Sequence, residues 1–370
     1  MSIKSTVIPL FAKRQHTPSK TLALSIKSVL VSALLMGGVS MTSHAVSPAS
    51  VNHGNEIDGN VSVSESIDQT IRQTLSDAGI KVAILDITPS NLPNMYQVNL
   101  EGQPPLHITA DGQYVIQGEL RPNPSPIRAT PPEEASSSLG SPVSNELRQA
   151  LLANMSQLQN MNDTIPLYYT AVDGVIWGAT GEGIPFLVSK DGKYFSEGEI
   201  SVIKDGQFTG LDTEFEQRKN KDIFAKLDEA QLITYPAQGT PKATIYVATD
   251  IHCPYCRRLH RLIPQLNAKG VTVKTIGYPA YEESFEPMRQ IWCEQDSTRR
   301  RQLFDQAMTH NPEQMALNHC TDSQTNLLMG NRDLSAGLAV FATPAIYRED
   351  GTLYDANFEH PEFLQFLGVE

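Results

Sequence analysis

The chain has 370 residues, 40% of them hydrophobic and 19% charged, with 29 Lys+Arg against 41 Asp+Glu and a formal net charge of −12. That length holds two or three domains of ordinary size. The acidic balance argues against nucleic acid as a partner, because phosphate binding needs cationic side chains.

Residues 1–45 carry Lys4, Lys13, Arg14, Lys20 and Lys27 and no acidic residue. A mostly apolar run from Val29 to Met41 and the ending Ser43–His44–Ala45 follow. A basic start, a short apolar core and a small-x-small end read as a secretory signal peptide. An uncleaved anchor is the competing reading, disfavoured because the core is short for a membrane span. Without residues 1–45 the net charge becomes −17. Residues 46–62 read as a flexible polar leader.

Residues 63–121 read as a small helix-plus-sheet domain. Ile67, Ile71, Leu75 and Ile80 recur at near-helical spacing. Strand-like segments follow at Tyr96–Leu100, Leu106–Thr109 and Gln113–Gln117. The Asp111–Gly112 pair between the last two marks a tight hairpin. Residues 122–143 hold Pro122, Pro124, Pro126, Pro131, Pro132 and Pro142 among Ser and Glu, and read as an unstructured linker. The pattern restarts over residues 144–210. Leu147, Leu151, Met155 and Leu158 form an amphipathic helix, and strands are expected at Val175–Trp177, Pro185–Val188 and Lys193–Glu197. A shift of 80 residues aligns the two blocks. Pro105–Leu106 falls on Pro185–Phe186, Asp111–Gly112 on Asp191–Gly192, Tyr114 on Tyr194 and Gly118–Glu119 on Gly198–Glu199. This reads as an internal duplication. Residues 211–236 read as a connecting helix, Thr213 to Leu232, with few apolar positions and no core role.

Residues 237–370 carry the chemistry. The run Ala243–Ala248 is a strand, and Cys253 follows after a short loop. Leu259, Leu262, Ile263 and Leu266 then trace one helical stripe, and Val271–Ile276 is the next strand. Cys253–Pro254–Tyr255–Cys256 therefore opens the helix of a βαβ unit, the setting that gives C-x-x-C a redox meaning. A thiolate is the attacking species, and the helix N-terminus stabilises negative charge. Cys253 is thus expected to be the exposed, low-pKa nucleophile and Cys256 the shielded resolving thiol. Arg257, Arg258 and Arg261 add positive charge, and Asp250, His252 and Arg257 are candidates for tuning the thiol. A zinc half-site is the weaker reading, since structural zinc needs four ligands and the other cysteines stand alone. No metal or cofactor is called for.

Cys293 and Cys320 remain. A second catalytic pair is one reading, but no strand–helix junction precedes either residue, so a structural disulfide is preferred. Closing that loop would stabilise the fold by roughly 3–4 kcal/mol. Helices are expected at Thr298–Thr309, Pro312–Asn318 and Pro361–Leu367. Ala342–Thr343–Pro344–Ala345 precedes a hairpin at Asp350–Gly351; Pro344 reads either as an ordinary trans proline at a strand start or, as a thioredoxin-like domain would have it, as a cis proline facing the C-x-x-C pair.

The segment from Thr249 to His260 resembles the active site of the DsbC/DsbG family of disulfide isomerases. So do Tyr278–Pro279, Ile291–Trp292–Cys293, the lone Cys320 and Ala342–Thr343–Pro344–Ala345, in that order. The two upstream repeats are similar to that family's N-terminal dimerisation domain. The resemblance implies a mixed α+β and α/β architecture: two tandem cystatin-like N-terminal domains, a connecting helix, and a C-terminal thioredoxin-like domain with a helical insertion. It further implies a Cys293–Cys320 structural disulfide, a catalytic set of Cys253, Cys256, Thr343 and Pro344, and Thr343 of the isomerase type. The implied setting is a periplasmic homodimer, joined through the N-terminal domains, that acts on misfolded exported proteins and is kept reduced by a membrane-bound thiol reductant of the DsbD type. Two departures stand out. The N-terminal unit is doubled, and the Pro-Tyr dipeptide is that of the DsbG branch while Asp250 and His260 match the DsbC branch. In this reading Cys253 attacks a wrong disulfide, Cys256 resolves stalled intermediates, and Asp250 is a candidate to move the Cys256 proton. The competing functions are a holdase chaperone and a dedicated reductase or oxidase without net isomerisation.

Overall fold

The structure, a computed structural model, describes residues 63–133, 138–156, 158, 165–181, 183–310, 315, 320 and 327–369. The signal segment, the leader and most of the expected helix Pro312–Asn318 lie outside the described residues.

Helix α1 (Glu65–Asp77) starts at Ser64, whose hydroxyl accepts from the Ile67 amide at 3.4 Å. Such a cap satisfies one of the free N–H groups of the first turn. The helix buries Ile71 and Leu75 against an antiparallel meander, β1 (Ile84–Pro89), β2 (Met95–Leu100), β3 (Leu106–Thr109) and β4 (Tyr114–Gln117). At the β3–β4 turn the Asp111 carboxylate accepts from the Gln113 amide at 3.0 Å, while Gly112 takes a φ of +74°.

The second copy repeats these details. Helix α2 (Asn145–Asn154) is capped by Ser144, which accepts from the Leu147 amide at 3.1 Å. It covers β6 (Leu167–Tyr169), β7 (Val175–Ala179), β8 (Pro185–Ser189) and β9 (Tyr194–Ser196). Asp191 accepts from the Lys193 amide at 3.0 Å, and Gly192 has a φ of +75°.

After its meander, each copy sends its next strand into the other copy's sheet. β5 (Arg121–Pro122) pairs with β9, and β10 (Ile200–Lys204) pairs with β4. β10 then turns back into β11 (Gln207–Leu211). The result is a six-stranded sheet β1-β2-β3-β4-β10-β11 beside a five-stranded sheet β5-β9-β8-β7-β6. A shared core seals the two. It joins Leu92, Met95 and Ile116 to Val175, Trp177 and Leu187.

The linker departs from its expected disorder. It lacks apolar bulk, yet backbone-to-side-chain hydrogen bonds hold its first half in place. The Asn154 side chain accepts from the amides of Arg128 and Ala129 at 2.7 and 2.9 Å, and Asn123 donates to the carbonyls of Asn154 and Gly192. Its end lies along β6, where Val143 donates to Leu167 at 3.0 Å.

The connecting helix is shorter than expected and better packed. α3 (Thr213–Lys226) stops at Lys226, and a 3-10 turn and strand β12 (Ile233–Tyr235) take the rest of the expected span. Its few apolar positions are all used. Phe215 enters the core between the copies, and Phe224 stacks on Tyr246 at 4.1 Å in the last domain. Lys219 is fully buried, donating to the Gly337 carbonyl at 2.8 Å and pairing with Glu216 at 3.1 Å. A polar sequence had concealed a core helix, because a lysine and an asparagine (Asn220) supply part of the buried face.

The last domain is a five-stranded sheet ordered β12-β14-β13-β15-β16. β13 (Ala243–Thr249) and β14 (Val271–Gly277) are parallel neighbours linked by helix α4 (Pro254–Ala268). β15 (Ala345–Arg348) and β16 (Leu353–Tyr354) close one side. Helices α5 (Glu282–Cys293), α6 (Ser297–Thr309) and α7 (Leu327–Gly337) form an insertion between β14 and β15, and α8 (Glu362–Leu367) ends the chain. Trp292, Phe304, Ile263 and Ile346 centre the core.

Candidate active site

Strand β13 ends at Thr249, and four residues later Cys253 occupies the N-cap of α4 with Pro254 in the first helical turn. Proline suits that place, since its missing N–H would have no helical partner. The Thr343–Pro344 peptide is cis, and the Cys253 thiol donates to the Thr343 carbonyl at 3.3 Å. The Asp250 amide donates to the Cys256 sulfur at 3.5 Å. Both thiols are free, and Cys293 and Cys320 are joined by a disulfide.

Cys253 is 3% exposed and Cys256 1%. The expected exposed nucleophile is therefore tucked beneath the loop that carries Thr343, and the exposed neighbour is Tyr255 at 52%. The two sulfurs differ in electrostatics rather than in exposure. Cys253 is lowered from 9.0 to about 6, first by its hydrogen bond with the Cys256 thiol, against the opposing effect of burial. The Thr343 side chain and the amides of Cys256 and Tyr255 lower it further. Burial, then the bond to Cys253, holds Cys256 well above the ordinary thiol range. The three arginines take other partners or none near the sulfur. Arg257 donates to the carbonyls of Ile251 and Ala307, and Arg258 pairs with Glu359 at 3.3 Å while lying over the Tyr255 ring. Hydrogen bonds supply the effect expected from nearby cations.

Asp250 is fully buried, and its two carboxylate oxygens accept four hydrogen bonds. One oxygen takes the His252 amide and the Ser284 hydroxyl, each at 2.6 Å. The other takes the amides of Ala280 and Tyr281 at 2.6 and 3.1 Å. The carboxylate therefore ties the active-site loop to the residues that lead into α5. Ser284 spends its one hydroxyl proton on Asp250, so His252 Nδ1, 2.7 Å away, is the donor to Ser284. His260 points elsewhere, packed edge-on between Tyr235 and Phe304.

Ser284 and Tyr281 were missed by sequence reading. Ser284 sits one turn before Met288 on the buried stripe of α5 that continues to Ile291 and Trp292. A small polar residue on an apolar stripe is the signal that could have singled it out. Tyr281 lies beside the thiols, its phenol raised by burial and then by the negative charge of Cys253. Among the described residues, no group of three or more His, Cys, Asp or Glu is arranged to hold a metal ion.

A reduced dithiol at the first turn of a βαβ helix, with unequal thiols and a proline loop against the lower one, defines a thiol–disulfide oxidoreductase of thioredoxin fold. Residues 62–121 match the disulfide bond isomerase protein N-terminal domain, and residues 229–366 match the thioredoxin-like domain. The thiol:disulfide interchange protein DsbC of Dickeya dadantii (strain 3937) is 30% identical over 194 residues, spanning 51% of this chain and 74% of that protein. The DsbC of Escherichia coli (strain K12) is 28% identical over 193 residues, with shares of 51% and 74%. The solved catalytic domain of Proteus mirabilis ScsC is 18% identical with a TM-score of 0.33, covering 40% of this chain and 96% of that one. The chain belongs to the DsbC family of thiol:disulfide interchange proteins.

Proposed function

We propose that this enzyme rearranges wrong disulfides in exported proteins of the periplasm through Cys253 and Cys256. The observation that carries this reading is the dithiol at the first turn of α4, with Cys253 at the N-cap bonded to the carbonyl of Thr343 in the cis Thr343–Pro344 loop and Cys256 buried one turn in; the lowering of Cys253 and the raising of Cys256 agree with it. The Cys253 thiolate attacks one sulfur of a substrate disulfide. A Cys253–substrate disulfide forms, the substrate S–S bond breaks, and the second substrate sulfur leaves as a thiolate. That thiolate attacks another disulfide in the substrate, and the sulfur so released displaces Cys253, with no net change in redox state. If the substrate stalls, Cys256 loses its proton and attacks Cys253. The substrate then leaves reduced and the enzyme holds a Cys253–Cys256 disulfide. A membrane-bound thiol reductant of the DsbD type would return that disulfide to the dithiol.

The high Cys256 supports this order, since a protonated resolving thiol attacks slowly and gives the substrate time to rearrange. We assign Thr343 and Pro344 to the surface that meets the substrate beside Cys253, and Asp250, Ser284 and His252 to holding the loop. The basic start and apolar run within residues 1–45 support export, and no helix among the described residues is long and apolar enough to cross a membrane.

The test is recovery of a scrambled multi-disulfide protein in glutathione buffer. Cys253→Ala should abolish recovery, and Cys256→Ser should accumulate enzyme–substrate mixed disulfides. Full recovery with Cys253→Ala would overturn the reading. Aggregation protection that survives loss of both cysteines, without recovery of disulfides, would favour the holdase.

A further inference from the structure

The two N-terminal copies do more than sit side by side. They trade strands, and the trade is reciprocal in register. Ser201 of β10 pairs with Val115 of β4, and Arg121 of β5 pairs with Phe195 of β9. Subtracting 80 from the first donor gives the second donor, and adding 80 to the first acceptor gives the second acceptor. The next pairs, Val202 with Tyr114 and Pro122 with Tyr194, obey the same relation. Residue i of one copy meets residue j of the other, and j meets i. That is the signature of an isologous, two-fold contact between identical units. It recurs in the loops before β2 and β7. Asn94 donates to the Asp173 carbonyl at 3.1 Å, and a Cβ on Gly174 would lie 2.7 Å from Pro93. Pro93 and Asp173, like Asn94 and Gly174, are equivalent positions of the repeat, and Asn94 and Gly174 both take positive φ, +58° and +82°.

We infer that the two copies make with each other, inside one chain, the strand exchange that would otherwise join two chains, so that the working particle is a single chain with a single dithiol. Each copy donates one strand and receives one, so the exchange is closed and no acceptor is left over. Residues 118–120 lead from β4 to β5 and 197–199 from β9 to β10, so each donor strand is carried by its own copy. The copies are joined by the linker of residues 122–143, whose first half Asn123 and Asn154 pin, and an acceptor joined covalently in this way is met at an effective concentration of roughly millimolar, above that of a second chain in dilute solution. The apolar face between the copies is covered as well, since Met95, Ile116, Val175, Trp177 and Leu187 share one core.

Two of the four outer sheet edges are also closed to a second copy. The end of the linker lies on β6, with Gly140 donating to Tyr169 at 2.9 Å and Tyr169 donating to Ser141 at 3.0 Å. On the other side β5 carries Pro122, which has no N–H to offer, and Pro124 follows it. The edges left are β1 and β11. This inference opposes the homodimer that the family resemblance implies, and its reason is the duplication itself. The consequence for catalysis rests on the proposed interchange activity, but the particle's size does not.

The test is the mass of the exported chain by light scattering and sedimentation over a wide concentration range, with a pull-down between two differently tagged copies expressed together. The inference expects the mass of one chain throughout and no co-purification of the second tag. Twice that mass, or co-purification of the tags, overturns it, whether the chains meet by exchanging β5 and β10 or by pairing along β1 or β11. Specific activity per intact site, measured with increasing Cys253→Ala chain mixed in during expression, should stay flat. A change would mean that dithiols on separate chains act together, and would overturn the single-site particle.

Discussion

Replacing Cys256 by Ala should move the titration of Cys253 upward, because the bond from Cys256 is the largest cause of the fall from 9.0 to about 6. The magnitude matters for what the pair can do. A thiol at about 6 is roughly 90% thiolate at pH 7, against about 1% for one at 9.0. Availability therefore rises by about 90-fold. A weaker base is also a poorer nucleophile, and with a Brønsted slope of about 0.4–0.5 the loss per thiolate is roughly 15–30-fold. The net gain in attack at neutral pH is only about 3–6-fold. The lowered pKa also helps in departure, since a good leaving thiolate lets the mixed disulfide break toward free enzyme, as interchange requires. The thiolate's ultraviolet absorbance, followed against pH with alkylation rates, reads the midpoint directly. Cys256→Ala should raise it most, and Thr343→Val should raise it less. A midpoint that stays at about 6 without Cys256 would refute the assigned cause. Stability follows the same titration. The folded thiol lies below its unfolded value, so the thiolate stabilises the reduced fold. That contribution is complete above about pH 9 and is lost as pH falls through about 6. Reduced wild type should therefore gain on Cys253→Ser across that window, as unfolding by urea would show.

Removing the Cys293–Cys320 disulfide, which closes a loop with a sequence separation of 27, should cost about 3–4 kcal/mol in denaturant unfolding while leaving the Cys253 titration in place. Lys219→Ala should destabilise the protein by roughly 3–5 kcal/mol, because Glu216 and the Gly337 carbonyl lose a buried partner. Glu199, pushed from 4.5 up to about 7 by burial and then by Glu216, binds a proton more readily folded than unfolded. Stability from this group is present below about pH 4.5 and is lost as pH rises through about 7, so Glu199→Gln should flatten the stability profile across that interval. Asp250→Ala strands four buried or half-buried donors and should cost at least about 2 kcal/mol in chemical denaturation, with Asp250→Asn milder.

The placement of the C-x-x-C pair at the start of a βαβ helix was readable because its signal is local. A strand, a short loop, two cysteines and an apolar stripe at helical spacing all fall within 243–268. The duplication was readable for a similar reason, since Asp-Gly turns and Gly-Glu endings leave fixed marks at a constant offset. The strand exchange was not. A strand alternates in the same way whether it joins its own sheet or its neighbour's, so the periodicity that flags β10 says nothing of its partner. The linker's order was hidden because Asn123 and Asn154 create it through polar bonds, which no hydropathy pattern records. α3 was misjudged because Lys219 counts as polar in any sequence reading, yet its stem and ammonium are enclosed by Trp177, Glu216 and Gly337. The exposure of Cys253 was misjudged because Thr343, whose carbonyl its thiol meets, lies ninety positions away.

Cys253, the nucleophile of the proposed interchange, is 3% exposed, which raises the question of how a substrate reaches it. The residues flanking the site suggest how, for the interchange proposed above. Tyr255, Tyr281, Phe285 and Phe341 are exposed by 52, 43, 37 and 84%, and they belong to the dithiol turn, the start of α5 and the loop before Thr343. Aromatic rings left in water on three neighbouring segments favour a partner that also brings apolar surface. A well-folded protein has little to offer there, because its own apolar side chains are buried. An unfolded chain has much, and covering a ring completely contributes roughly 1.5–3 kcal/mol. In the proposed interchange such a chain would lie on the rim before any bond is broken and bring its disulfide to the recessed sulfur. Under that proposal burial, which opposes the thiolate, would contribute selectivity, while the hydrogen bonds from Cys256 and Thr343 keep the thiolate available. Under the proposed interchange, recognition of an unfolded substrate and reactivity of the thiol fall to different atoms, and a substitution in the rim should alter the first without shifting the midpoint of the second.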